Sequence, residues 1–371
     1  MDAVSGDGRG ADRRTATNRW QTFAIICHMP PQRRPRAVTI TDVARAAGVA
    51  PSTVSRAVTR PDRVNAVTRE HVLEVANRLG YRPSPVARAL GSGRTRTLAL
   101  VLPDITNPYF AGVIRGAERQ AAATGHVLVI GSSEESGRAE WRIVEKLAGS
   151  VDGFLIVSSR MSDQRIVQTV GLRPVVLVNR QTPGVTSVSP DQESGTRQII
   201  EHLASLGHRE VLFLAGPPES WLGSRRWAGI SAAAKRHRMT ARRVGPFPPS
   251  IEGGYVSGEA ALSDSATAVI AHNDLLAIGV LLRLASRGVR VPAALSVVGF
   301  DNIFGSDWCD PPLTTLSDRT DQAGRSAIDL LVSLIEDEGE DAEPPAQIVA
   351  PTELVIRRST GRARVGSLEP G

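Results

Sequence analysis

Seven largely apolar runs, each four or five residues long, recur between residues 98 and 300 and limit most strongly how this chain can fold. They are Leu98–Leu102, Val127–Ile130, Gly153–Val157, Val175–Val178, Val211–Leu214, Ala268–Ala271 and Ser296–Phe300. None alternates apolar with polar, so none reads as a strand with one face in water. Stretches with helical spacing separate them. Uniformly apolar strands alternating with helices predict parallel sheets covered on both faces, and the length available fits two α/β lobes. The acidic stretch Glu336–Glu343 before Pro344-Pro345 reads as a solvated loop.

The chain upstream is built differently. From Thr39 to Leu79 the apolar residues follow helical spacing in three short blocks, separated by Gly48-Val49-Ala50 and by Arg60-Pro61-Asp62-Arg63. Thr39 and Asp42 are spaced as a capping box, in which a hydroxyl and a carboxylate each satisfy a free backbone N–H of the other's residue. Ile40, Val43, Ala44 and Ala47 make one apolar face. Gly48 falls where the chain must turn through a left-handed conformation, which glycine adopts without a Cβ clash. Pro51 suits the first position of the next helix, and Val54 and Val58 are expected to point inward. That leaves Ser52, Ser55 and Arg56 on the outer face near the helix start. A third helix between Asn65 and Gly80 supplies Val72, Ala76 and Leu79 to the same core. Pro83, Pro85 and Gly91-Ser92-Gly93 then mark a boundary and a flexible joint.

Charge separates the same two regions. Residues 37–97 carry a net +6, residues 1–36 a net +4, and residues 98–371 a net −4. A basic segment ahead of a mildly acidic body is expected when one end neutralises phosphates, although a solvated charged face gives the same count. No run approaches the roughly 18 apolar residues that span a bilayer. Phe23–Cys27 is shorter than the roughly 7 to 15 residues of a secretory core segment. Cys27 and Cys309 are the only cysteines, too few for a disulfide framework or a thiolate metal site. These features suit a cytoplasmic protein with no metal or cofactor. Residues 1–36 lack apolar periodicity and read as a disordered basic tail or an upstream extension of the reading frame, with Met29 as an alternative start.

The string Ile40-Thr41-Asp42-Val43-Ala44-Arg45-Ala46-Ala47-Gly48-Val49-Ala50-Pro51-Ser52-Thr53-Val54-Ser55-Arg56-Ala57-Val58, followed by Leu79-Gly80-Tyr81-Arg82-Pro83, resembles the N-terminal domain of the lactose-repressor family. Further landmarks of that family run through residues 39–358: Val86–Leu90, Asp104–Phe110, Val151-Asp152-Gly153, Leu206-Gly207-His208, Arg226 with Gly229, Asn273-Asp274, Val298–Asp301 and Pro312–Thr315. The resemblance implies an all-α helix-turn-helix head joined to an α/β two-lobed body of the type I periplasmic-binding-protein-like fold. Its limits would be 37–82 for the head, 83–97 for a hinge helix and linker, 98–360 for the body and 361–371 for a tail.

The family's function, carried onto these positions, is that of a transcriptional repressor. Pro51, Ser52, Thr53, Ser55 and Arg56 would face the major groove of a double-stranded operator. Arg56 can pair in bidentate fashion with guanine N7 and O6, whereas a small hydroxyl discriminates weakly. Ala87 and Leu90 would lie on the hinge helix, with Leu90 wedged between base pairs in the minor groove; a buried linker residue is its alternative. Ala50 departs from the family, which usually has a capping Ser there, and losing such a cap costs about 1 kcal/mol.

In the body, Tyr109, Phe110, Asp191, Arg226, Phe247, Asn273 and Asp301 would meet a small effector, expected to be a sugar or sugar derivative. An open α/β sheet binds ligands at the carboxyl ends of its strands, and Asp301 directly follows such a run. Other readings stand beside these: Asn273 as a helix cap, Arg226 as a surface ion-pair residue, Asp191 as a helix start. The prolines and Gly253-Gly254 around Phe247 depart from the family's spacing. The resemblance further implies a homodimer, or a tetramer, on a pseudo-palindromic operator. A solute-binding protein of a transport system is the alternative. The sequence shows no catalytic motif of the kinds that mark hydrolases, metalloproteases or nucleotide-binding enzymes.

Overall fold

The computed structural model describes residues 38–59, 61–81, 94–337 and 344–364. The chain divides into two compact units, Met1–Pro83 and Ser84–Gly371.

Among the described residues of the first unit the α-helices are α1 (Ile40–Ala47), α2 (Pro51–Thr59) and α3 (Ala66–Arg78), with a single 3-10 turn at Pro61–Arg63. The capping box is present, with Thr39 N donating to Asp42 Oδ2 at 2.9 Å and Asp42 N donating to Thr39 Oγ1 at 3.4 Å. Gly48 ends α1 with φ +66°, the left-handed conformation its position requires. At α3, Asn65 Oδ1 accepts from Val67 N at 2.9 Å. The head's core is Val43, Ala44, Ala47, Val54, Ala57, Val72, Val75 and Ala76, with Val49 packed against it. Ala57 therefore takes the buried place expected of Val58, which is only half-buried. Three residues along α2 from Val54 suffice to regain its apolar face, so a small side chain closes the core there.

Among the described residues the body holds helices α4 (Tyr109–Ala123), α5 (Gly137–Leu147), α6 (Asp163–Val170), α7 (Gln192–Ser205), α8 (Trp221–Arg236), α9 (Ile251–Ser263), α10 (Asp274–Ser286) and α11 (Thr320–Glu336), and two sheets of six strands. The first has the order β11-β5-β4-β3-β1-β2, from β1 (Thr97–Leu102), β2 (Val127–Ser132), β3 (Gly153–Val157), β4 (Val175–Val178), β5 (Ser187–Pro190) and β11 (Gln347–Ala350). The second has the order β12-β10-β9-β8-β6-β7, from β6 (Glu210–Leu214), β7 (Thr240–Val244), β8 (Ala268–Ala271), β9 (Ser296–Phe300), β10 (Thr314–Ser317) and β12 (Glu353–Val355). All pairs are parallel except β10 with β12.

Apolar clusters cover both faces of each sheet, which is why the inner strands lack alternation. In the first sheet Leu98, Leu100, Leu155 and Val176 pack into one cluster, and Ala99, Val101, Phe154 and Leu177 into the other. The second sheet divides likewise between Phe213, Ile270 and Val298 on one face and Leu212, Val269 and Val297 on the other. The seven apolar runs are all strands. The five remaining strands escape pattern reading because they are short and polar, such as Thr240–Val244 at a sheet edge or the buried Ser187–Pro190.

The chain passes between the lobes three times. It crosses after β5, where α7 (Gln192–Ser205) packs Ile199, Ile200 and Leu203 into the second lobe. It returns after β10, where α11 (Thr320–Glu336) packs Ala327, Ile328 and Leu331 onto the first sheet. The third crossing joins β11 to β12, and there Thr352 Oγ1 donates to the carbonyl of Asp191 at 3.0 Å, tying the third crossover to the first.

Candidate functional site

On the head, Pro51, Ser52 and Arg56 are exposed and Thr53 and Ser55 half-buried, all within one turn and a half of the start of α2. Val54 and Ala57 anchor the helix from beneath. Ala50 contributes only its carbonyl, accepting from Thr53 N at 2.9 Å and Val54 N at 3.3 Å. Ala87 and Leu90 lie outside the described residues.

In the body, polar side chains meet between the two lobes. Arg226, on α8 (Trp221–Arg236), is buried, with 5% of its side chain exposed. Its Nη2 donates to Asp301 Oδ1 at 2.9 Å and its Nε to Gln192 Oε1 at 3.3 Å, while Nη1 donates to the carbonyl of His272. The guanidinium lies over the Phe300 ring, 4.3 Å from its centroid. Asp301 follows β9 with φ +106°, a conformation that side chains other than glycine rarely adopt and that aims its carboxylate at Arg226. Its backbone N–H is held by the carbonyl of Leu316 at 2.8 Å.

Opposite stands a second chain of hydrogen bonds. Tyr109, at the start of α4 (Tyr109–Ala123) in the first lobe, donates its hydroxyl to Asp318 Oδ2 at 2.8 Å and accepts from Asn179 Nδ2 at 2.8 Å. Asp318 belongs to the crossover between β10 and α11, so both lobes and a crossing strand join in one cluster. Tyr109 and Asp301 also line a groove of about 390 Å³ with Arg115, Asn302, Phe304 and Thr320.

Burial sets the electrostatics. It raises the Asp301 carboxyl to about 7, with Arg226 opposing and Asp318 reinforcing the rise. Asp318 is raised by burial as well, against the hydrogen bond from Tyr109 and the pull of Arg226. Burial and the neighbouring Asp318 and Asp301 carboxylates push the Tyr109 hydroxyl well above its ordinary value. His272 is held well below the usual histidine range by burial and by Arg226, Arg160 and Arg243, so it is neutral.

The other expected residues sit around this cluster in different roles. Phe110 is buried in the first lobe's core, with its ring edge-on to Tyr109 at 5.2 Å between centroids. Asn273 caps α10 (Asp274–Ser286) through Leu276 N at 3.0 Å, and its amide reaches the carbonyl of Pro249 at 3.3 Å. Asp191 caps α7 through Ser194 N at 2.9 Å and lines a separate cavity of about 440 Å³ with Gln181, Trp221 and Arg225. Phe247 packs against the second lobe's core beside Leu212 and Leu214.

Asp318, Asn179 and His272 were not singled out by motif. Asn179 follows Val175–Val178 and His272 follows Ala268–Ala271, just as Asp301 follows Val297–Phe300. The residue immediately after each apolar run, taken systematically, would have found both, since such positions lie at the carboxyl ends of the strands. Asp318 follows a short polar strand, Thr314–Ser317, that carries no such signal.

Residues 39–84 match the model of bacterial regulatory proteins of the lacI family, and residues 200–360 match a periplasmic binding protein-like domain. The HTH-type transcriptional repressor CytR of Escherichia coli strain K12 is 32% identical over 345 residues, spanning 90% of this chain and 99% of that protein. This chain belongs to the LacI family. The repressor PurR of Photobacterium profundum is 30% identical over 331 residues, 86% of this chain and 98% of that protein. Among solved structures, a lac repressor dimer bound to operator and the anti-inducer ONPF superimposes with TM-score 0.77 at 28% identity, covering 88% of this chain and all of that one. A complex of the regulator CelR with cellobiose matches with TM-score 0.64 at 30% identity, over 87% of this chain and 99% of that one. The LacI-family head and two-lobed body are thus both present, and the chain is a transcriptional regulator. No helix among the described residues is long and apolar enough to cross a membrane.

Proposed function

We propose that this chain is a cytoplasmic repressor that binds a pseudo-palindromic operator as a dimer, with its affinity set by a small polyhydroxylated effector between the lobes. One observation carries the effector half: Tyr109 of the first lobe, Arg226 and Asp301 of the second, and Asp318 of a crossover form one buried polar cluster. A ligand that competes for these groups favours one spacing of the lobes over another, and that differential affinity is what couples effector to DNA. The ring face of Tyr109 and the hydroxyl-pairing groups Arg226 and Asp301 suit a sugar, which offers polar rims and an apolar face. The ligands named for solved relatives are cellobiose for CelR and ribose for an Enterococcus faecium regulator of the family.

The DNA half rests on α2. Pro51, Ser52, Thr53, Ser55 and Arg56 enter the major groove, with Arg56 as the base-reading group, while Ala87 and Leu90 act from the hinge in the minor groove. Selection of bound duplexes from a random pool tests this reading. Enrichment of a two-fold symmetric site, lost with Arg56→Ala, is the expected result. Recovery of asymmetric or unrelated sequences contradicts it.

A further inference from the structure

A second cavity, of about 440 Å³, opens where the first crossover leaves β5, and it shares no lining residue with the groove of Tyr109 and Asp301. Its walls come from both lobes, with Ser189 of β5 on one side and Trp221 and Arg225 of α8 on the other. Three arginines line it, Arg197, Arg225 and Arg236, against the carboxylates of Asp191 and Glu193. Asp191 is already committed, since its Oδ1 accepts from Ser194 N at 2.9 Å as the cap of α7. Glu193 reaches Arg236 only at 3.9 Å. Arg197 donates to Ser194 Oγ at 3.2 Å and meets Glu201, which does not line the cavity, at 3.5 Å. Arg225 has no hydrogen-bond or ion-pair acceptor among the described residues; its guanidinium lies over the Trp221 ring, 5.1 Å from the centroid. The buried arginines of the first lobe are engaged more closely, Arg160 with Glu135 at 2.6 Å and Arg180 with Asp163 at 2.7 Å. A single exposed arginine is solvated and needs no ligand. Three that converge on one concavity, beside an indole and a single spare carboxylate, make a surplus of cationic donors that attracts an anion.

We propose that this cavity is a second ligand site, for a small organic anion bearing a carboxylate or phosphate group, separate from the cluster about Arg226 and Asp301. Arg225 is its principal donor, because the flat fork of a guanidinium matches either group in bidentate fashion and this one is uncommitted. The volume of about 440 Å³ is within the usual size of a small-ligand site. Because the walls belong to different lobes, an occupant favours the lobe spacing in which they face each other. Gln192 joins the two sites: it lines the cavity, and its Oε1 accepts from Arg226 Nε at 3.3 Å. Occupancy is thereby felt at the guanidinium that holds Asp301.

The test is calorimetric titration of the full-length protein, at constant ionic strength, with glycerol 3-phosphate, succinate and, as the uncharged control, glycerol. The first two separate phosphate from carboxylate as the recognised group. At least one of them should bind with Kd below about 1 mM, while glycerol gives no signal. Arg225→Gln should weaken that binding about tenfold, and its exposed side chain leaves the melting curve unchanged. Arg56→Ala, which removes charge from the head, should not affect it. Hydrogen exchange should slow in both β5 and α8 when the anion is bound. Failure of both anions to bind overturns the proposal, as does binding that Arg225→Gln leaves intact or Arg56→Ala abolishes. Protection confined to one lobe overturns the bridging of the lobes.

Discussion

The five outward side chains of α2 lie within one short stretch, Pro51 to Arg56, whereas the polar groups between the lobes come from five distant places: Tyr109, Asn179, Arg226, Asp301 and Asp318. The first set depends on one helix and the caps and turn that place it. The second depends on two sheets, a crossover and a buried ion pair. The head can thus lose one side chain and keep its shape, while the cluster in the body carries both stability and function in the same groups. Substitutions should separate specificity from stability in the head and confound them in the body.

The largest effect expected is that of Arg226→Ala. It leaves the Asp301 carboxylate, the Gln192 side chain and the His272 carbonyl without their shared donor, and breaking a buried pair in this way costs about 3–5 kcal/mol. Urea denaturation should show the loss in the body's transition; a loss under about 1 kcal/mol would mean that the pair is solvated and carries little of the body's stability.

Arg56→Ala should act in the opposite manner. It is expected to weaken operator binding by about 1–3 kcal/mol and relax specificity at one base pair, with the melting curve unchanged. Thr39→Ala removes half of the capping box and should destabilise the head by about 1 kcal/mol, read in the full chain as faster hydrogen exchange of α1 amides.

Acidity sharpens the contrast. The Asp301 carboxyl sits at about 7 when folded, well above its ordinary value, so the folded body binds a proton that the unfolded chain has released. Its contribution is fully present below about pH 4 and is lost as pH rises towards 7. Asp318 and Asp274 shift in the same direction. His272, lowered by burial, acts oppositely and removes stability as pH falls below the ordinary histidine value. In Asp301→Asn the body's decline in stability between pH 4 and 7 should become shallower, as thermal melts across that range would show. A decline as steep as in the unaltered chain would place the titration elsewhere.

What could be read from the sequence follows the same division. The cap at Thr39, the turn at Gly48 and the helix start at Pro51 are signals within a few residues of one another, and all three stand where the spacing put them. Val58 is the expected inward partner of Val54, but four-residue and three-residue steps both stay on one helix face, and packing in the head's core selects Ala57. In the body, uniform apolar runs marked seven strands, the exposed edge strand β2 among them, but β5, β7 and β10 to β12 are too short or polar to show. Asp301 was legible because it directly follows such a run. Asp318 was not, since its importance comes from Tyr109, 209 residues away in sequence, and from the crossover that brings them together. Asn273 could be read both as a cap and as a ligand group, and its side chain is engaged as the cap of α10.

On the proposed function, the Arg226–Asp301 cluster reports its occupancy to the DNA-binding head. The most direct measurement is the dissociation constant for the selected operator, with and without the tightest-binding sugar, in the unaltered protein and in Arg226→Lys. The ligand should shift operator affinity by about 5- to 150-fold in the unaltered protein, and the shift should collapse in a folded Arg226→Lys. An operator affinity indifferent to the bound ligand, or a shift that persists in the variant, would contradict it.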